Sequence, residues 1–192
     1  MSDATTGKIV IISGPSGAGK STIVRQLMAA CPLPLTLSVS ATTRSPRPGE
    51  LEGREYFFLS HAEFARRRQG GEFLECKEVF GRGDWYGTLR EPVATGLRQG
   101  KWVILEIDVE GAMSVLEQVP DCITIFLDPG TVEELERRLR GRATDSEEAV
   151  QRRLEVARRE FEFMSRYQHR VVNDRPERAV QEISDILQRC QA

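Results

Sequence analysis

Histidine is nearly absent from this chain, with 2 in 192 residues, and lysine is scarce: of 27 cationic side chains 4 are lysine and 23 arginine. So few imidazoles leave little basis for histidine acid–base or metal chemistry. His61 reads as the start of a surface helix and His169 as the start of a strand. The four cysteines (Cys31, Cys76, Cys122 and Cys190) are scattered, with no C-x-x-C pair and no histidine nearby at ligand spacing. That pattern offers no metal site and fits reduced thiols in a cytosolic protein. No apolar run approaches the length of a membrane span, and the N-terminal MSDATTGK is polar, without the pattern of a signal peptide. A cytoplasmic location is expected. A net charge of -2 gives no global attraction to nucleic acid or to an anionic membrane. Internal repeats and low-complexity tracts are missing too.

What is present is an ordinary globular composition, 40% hydrophobic and 29% charged, in a length that suits one domain with a sizeable core. Apolar runs alternate with helical patterns. Residues 9–13 and 102–108 (WVILEID) are apolar and β-branched with little alternation, as central strands of a parallel sheet should be. Residues 122–127 and 169–173 are weaker members of the set. Helical patterns follow at 20–30, 111–118, 131–140, 146–167 and 176–190, the last opening on a proline. This rhythm predicts an α/β fold with a mainly parallel sheet flanked by helices. Two stretches break it. Residues 36–88 carry a turn-rich segment and short strand-like pieces at 56–59, 72–80 and 85–88, read as a small mixed β insertion. Residues 137–153 gather charges around a glycine and read as a hinge-like segment between two helices.

The segment GPSGAGKST, residues 14–22, follows the first strand and opens the first helix. Gly14-x-x-x-x-Gly19-Lys20-Ser21 is the Walker A pattern, and its glycines let backbone N–H groups turn onto phosphate oxygens. The helix N-terminus adds a favourable dipole. Lys20 is placed to reach the β and γ phosphates and the Ser21 hydroxyl to ligate Mg²⁺, so nucleoside triphosphate binding is expected. Further on, Arg44 and Arg47 lie three apart in a Pro/Gly-stiffened loop, where they could grip a phosphate monoester with help from Tyr56, or stand as solvated loop arginines. Glu106 and Asp108 lie two apart in WVILEID, which predicts side chains on the same side at the end of a central strand, where that face opens onto a ligand crevice.

Taken in order after GPSGAGKS, the segments SVSATTRSPRPGE, EYFF, FLECKEVFG, WYGT and LEIDVEGA resemble the guanylate kinases over nearly the whole chain. The resemblance implies a P-loop nucleoside-monophosphate-kinase fold in three parts: a core (about 1–36, 89–136 and 154–192), a GMP-binding insertion (about 37–88) and a helical lid (about 137–153). It implies the reaction ATP + GMP → ADP + GDP with Mg²⁺, dGMP being a further acceptor, and no nucleic-acid or membrane partner. Gly14, Pro15, Ser16, Gly17, Ala18, Gly19, Lys20, Ser21 and Thr22 would hold the ATP phosphates, and Asn173 would lie on the adenine side. Arg44, Arg47, Tyr56 and Tyr86 resemble the ligands of the GMP phosphate, with Glu50 in the same motif. Ser40, Glu75, Thr88 and Asp108 resemble the guanine contacts. Arg138, Arg142 and Arg153 resemble the lid arginines that compensate charge beside Lys20 and Arg44, and Glu106 the carboxylate that orders water around the metal.

The chain departs from the family's usual pattern in three places. Glu106 stands where Asp is common, Ala143 where Gly is common, and residues 81–85 form a slightly longer connection before Tyr86. The resemblance leaves two other readings: a non-catalytic guanylate-kinase-like interaction module, and a P-loop kinase acting on another small phosphate acceptor. A complete phosphate loop weighs against the first, and the T-T-R-x-P-R-x-G-E run with Glu75 against the second. Monomer and homodimer stay open.

Overall fold

A computed structural model describes residues 7–79, 83–140 and 147–191. Its core is a five-stranded sheet in the order β2-β7-β1-β8-β9: β1 is Ile9–Ser13, β2 Leu35–Leu37, β7 Trp102–Glu106, β8 Ile123–Asp128 and β9 His169–Val172. Every pairing in it is parallel. The strands read as continuous apolar runs because both faces are covered. Val10 and Ile12 of β1 point to one side, against α1 (Lys20–Ala30) and α7 (Pro176–Arg189). Ile9 and Ile11 point to the other, against α3 (Arg90–Arg98) and α4 (Val109–Gln118). All five residues of β1 are buried, so its C-terminal end is held rigidly from both faces.

The turn-rich stretch folds as a second, mixed sheet in the order β4-β3-β6-β5. Here β3 is Ala41–Thr42, β4 Phe57–Phe58, β5 Phe73–Glu78 and β6 Trp85–Leu89, with α2 (His61–Gln69) packed beneath through Phe64. Strands β5 and β6 form an antiparallel pair in which Glu75 faces Thr88 and Lys77 faces Tyr86. The remaining helices, α5 (Val132–Arg140) and α6 (Glu147–Glu162), share a small apolar cluster of Leu135, Leu139, Val150, Leu154 and Ala157. Both histidines begin the elements expected of them, and the four cysteines are free thiols.

Several elements and boundaries differ from the sequence reading. Strand β7 stops at Glu106, because the Asp108 side chain accepts a hydrogen bond from the Gly111 amide at 2.8 Å and caps α4, which therefore begins at Val109. The strand β2 and the helix α3 are additional elements. The sequence of α3, REPVATGLR, has weak helix formers, and packing decides it: Val93 and Gly96 are buried against the sheet. The long pattern at 146–167 divides into α6 and a single 3-10 turn, Met164–Arg166. The expected hinge residues Arg142 and Ala143, and residues 80–82 before Tyr86, lie outside the described residues.

Candidate active site

Strand β1 ends directly into the phosphate loop. Gly19 holds φ +91° at the head of α1, and a Cβ there would come within 2.7 Å of the Asn173 amide nitrogen. Only glycine combines that backbone with so close a neighbour. The Asn173 amide donates to the Ala18 carbonyl at 2.7 Å, fastening the loop from the end of β9. No side chain among the described residues caps α1, so its first amides face the loop interior. The Lys20 ammonium reaches back over the loop to the Gly14 and Pro15 carbonyls at 2.5 and 3.1 Å. The Ser21 hydroxyl donates to Glu106 at 2.5 Å, joining the head of α1 to the end of β7. A cavity of about 220 Å³ runs along Ser16, Gly17, Gly19 to Thr22 and Glu106.

A second cavity, of about 280 Å³, carries Lys20 and Glu106 into the territory of the small sheet. Ser40, Tyr56, Glu75, Tyr86 and Asp108 share its wall. Residues from six separate sequence motifs thus converge on one space. Arg44 stands beside it: its Nε donates to the Tyr86 hydroxyl at 3.1 Å, and its terminal nitrogen forks onto both Glu50 oxygens at 2.9 Å. The Arg44 guanidinium also lies 5.4 Å from the centre of the Tyr56 ring, which tilts edge-on to Tyr86. The hydrogen bond from Arg44 and the Arg47 amide hold the Glu50 carboxyl below its ordinary range. Arg47 itself is exposed at the rim.

On the other wall the Thr88 hydroxyl donates to Glu75 at 2.7 Å. Burial nevertheless pushes the Glu75 carboxyl up to about 7, with Asp108 adding to the rise. Asp108 differs from its expected setting: it is a helix cap at the cavity edge, its second oxygen 2.6 Å from the Lys77 ammonium.

Of the three arginines expected of a lid, Arg138 and Arg153 are among the described residues and Arg142 is not. Arg138, on α5, donates to the Asn173 carbonyl at 2.7 Å, to Glu134 at 2.7 Å and to the Ala18 carbonyl of the phosphate loop at 3.4 Å. Arg153, on α6, lines a third cavity of about 430 Å³ together with Ser16, Lys20, Lys77 and Glu160. Two residues in these walls escaped the sequence reading. Lys77 is two residues beyond Glu75 on the same face of β5, a period-2 relation visible in the sequence once the strand is recognised. Glu160 lies on α6 with one buried carboxyl oxygen unpartnered among the described residues, and burial raises it to about 7 against the pull of Lys20.

The family model for guanylate kinase matches residues 6–190. The chain belongs to the guanylate kinase family. A guanylate kinase of Rhodopirellula baltica is 61% identical over 96% of this chain and 88% of its own length. That of Rubrobacter xylanophilus is 49% identical over 95% of this chain and 94% of its own length. Among solved structures, guanylate kinase from Anaplasma phagocytophilum superposes with a TM-score of 0.78 at 32% identity, covering 97% of this chain and 87% of that one. No helix among the described residues is long and apolar enough to cross a membrane.

Proposed function

We propose that this guanylate kinase family member transfers the γ-phosphoryl group of ATP to GMP, and to dGMP, releasing ADP and the nucleoside diphosphate. The observation that carries the reading is the single cavity whose wall joins Lys20 of the phosphate loop to Glu75, Tyr86 and Asp108. In the reaction an oxygen of the GMP phosphate forms a bond to the γ-phosphorus. The bond from that phosphorus to the β–γ bridging oxygen breaks, and its electron pair leaves with ADP. At neutral pH the attacking phosphate is already largely ionised, so the protein supplies alignment and charge compensation rather than a general base.

Lys20 and the amides of residues 14–22 hold the ATP phosphates, and Asn173 borders the adenine side. Arg44, Arg47, Tyr56 and Tyr86 hold the GMP phosphate, with Glu50 orienting Arg44. Ser40, Glu75, Thr88 and Asp108 read the base. An ionised Glu75 only accepts hydrogen bonds, which suits the adjacent N1–H and N2–H₂ donors of guanine and opposes the N1 acceptor of adenine. Arg138, Arg142 and Arg153 are the lid arginines of this reading, adding positive charge at the transferring phosphoryl group.

Magnesium fits as an ion that travels with ATP. Ser21 and Glu106 set two hard oxygen donors side by side, while no group of three or more His, Cys, Asp or Glu among the described residues forms a cage. Ser21 would bind it directly and Glu106 through water, and the ion would draw charge from the phosphates.

The reading is tested by ADP release from ATP and Mg²⁺ with GMP, dGMP, AMP, UMP or no acceptor. Release confined to GMP and dGMP, and abolished in Lys20→Ala, is expected. ADP release independent of any acceptor would refute it.

A further inference from the structure

Glu75 and Asp108 present two carboxylates to one cavity, and the charge of Asp108 is among the causes that raise Glu75. Two anions facing one neutral base repel each other unless a cation is close. Lys77 is that cation. It lies on the face of β5 that carries Glu75, with its ammonium 2.6 Å from Asp108 Oδ2 and 2.9 Å from Glu110 Oε2. The Lys77 side chain is 29% exposed and that of Asp108 32%, whereas Glu110 is 76% exposed and its pair is correspondingly screened. The other Asp108 oxygen, Oδ1, accepts from the Gly111 amide at 2.8 Å. One oxygen of Asp108 is therefore tied to its own helix and the other to the neighbouring sheet. Each retains a lone pair with which to accept a further hydrogen bond.

A guanine edge offers three hydrogens, one on N1 and two on N2. A carboxylate with two oxygens takes the N1 hydrogen and one of the amino hydrogens, leaving the second amino hydrogen for a neighbouring acceptor. We propose that Lys77 is a positioning residue for base recognition: its ion pair with Asp108 fixes that carboxylate beside Glu75, so that the two acids share the exocyclic amino group. The inference rests on the reading of this cavity as a GMP site. It gives that site a way to distinguish a 2-amino purine from hypoxanthine, which has N1–H but no amino group. A purely mechanical role has a clear alternative signature. Helix α4 is also strapped to β5 at its far end, where Gln118 donates to the Leu74 carbonyl at 2.7 Å, and a loosened strap would weaken every ligand of the small sheet alike.

The experiment measures equilibrium binding of GMP, IMP and ATP to the full chain by calorimetry, in the wild type, Lys77→Met, Lys77→Arg and Glu110→Gln. Lys77→Met is expected to weaken GMP about tenfold, the scale of one hydrogen bond to a charged group. IMP should change less than about twofold and ATP not at all on the same scale. Lys77→Arg should restore most of the loss, and Glu110→Gln should change nothing. Equal losses for GMP and IMP, an unchanged GMP affinity in Lys77→Met, or a Glu110→Gln variant that reproduces the loss would each overturn the proposal. Should Lys77→Met fail to fold, Lys77→Gln, which keeps a donor without the charge, is read by the same criteria. A wild-type chain that binds AMP as tightly as GMP would overturn the GMP reading itself, and this inference with it.

Discussion

Glu75 sits half-buried on β5, and burial lifts its carboxyl to about 7, with Thr88 opposing the rise and Asp108 adding to it. A protonated Glu75 would turn an O–H donor toward the donors of guanine, so the proposed base recognition requires the ionised form. The KM for GMP should therefore climb as pH falls below about 7, approaching tenfold per unit, while the KM for ATP stays level. The GMP phosphate itself titrates near about 6, so the profile is compared with that of Glu75→Gln. That variant should lose the Glu75 component and gain activity toward AMP; two identical profiles with an unchanged GMP preference would remove Glu75 from base recognition. At this scale the sequence was informative wherever a motif carries its own chemistry. Lys20 and Ser21 become candidates by spacing, and Arg44 and Glu75 by their company. The roles of Lys77 and Glu160 could not be read from spacing alone because their partners come from other elements: Asp108 from the head of α4 for the one, Lys20 from the head of α1 for the other.

Helix α5 shows how an element can serve a loop it does not belong to. A Cβ on Gly17 would come within 2.9 Å of Leu135 and 3.0 Å of Leu139, so α5 is packed directly against the phosphate loop. Leu139 is fully buried in the small cluster shared with α6. Leu139→Ala should cost about 2–4 kcal/mol in denaturant unfolding. It should raise the KM for ATP and leave binding of GMP alone almost untouched. An effect confined to GMP would contradict this placement of α5. The strongly patterned elements, β1, β7 and α7, could be read because their burial is continuous or amphipathic. Helix α3 could not, since its glycine and β-branched residues gain helical form only by packing on β7. The end of β7 was misjudged for a local reason: the carboxylate of Asp108 satisfies helix amides, and capping prevailed over the apolar run.

Across the whole molecule, Glu75 and Glu160 share a raised carboxyl, each about 7, pushed up chiefly by burial. Their contribution to stability is fully present below the ordinary carboxyl value of 4.5 and is lost as pH rises through about 7. His169, held low by burial and by Arg189, works the other way as pH falls through its ordinary value, but it is one group against two. The melting temperature should accordingly decline between about pH 5 and pH 8, and Glu160→Gln should flatten that slope; a rise over the same interval would show that neither acid is buried as described. The alternation of strands and helices made the parallel sheet legible, but nothing in the sequence spacing placed β1 between β7 and β8. That order has a consequence for biosynthesis. The nucleotide loop leaves the ribosome before the segments that support it. Its strand has to wait for neighbours paired at Val103 and Ile123, and Gly19 and Ala18 wait longer still for Asn173. A nascent chain carrying the complete Walker A motif is therefore not yet an ATP-binding one, and competence for the first substrate waits until Asn173 has been made and placed.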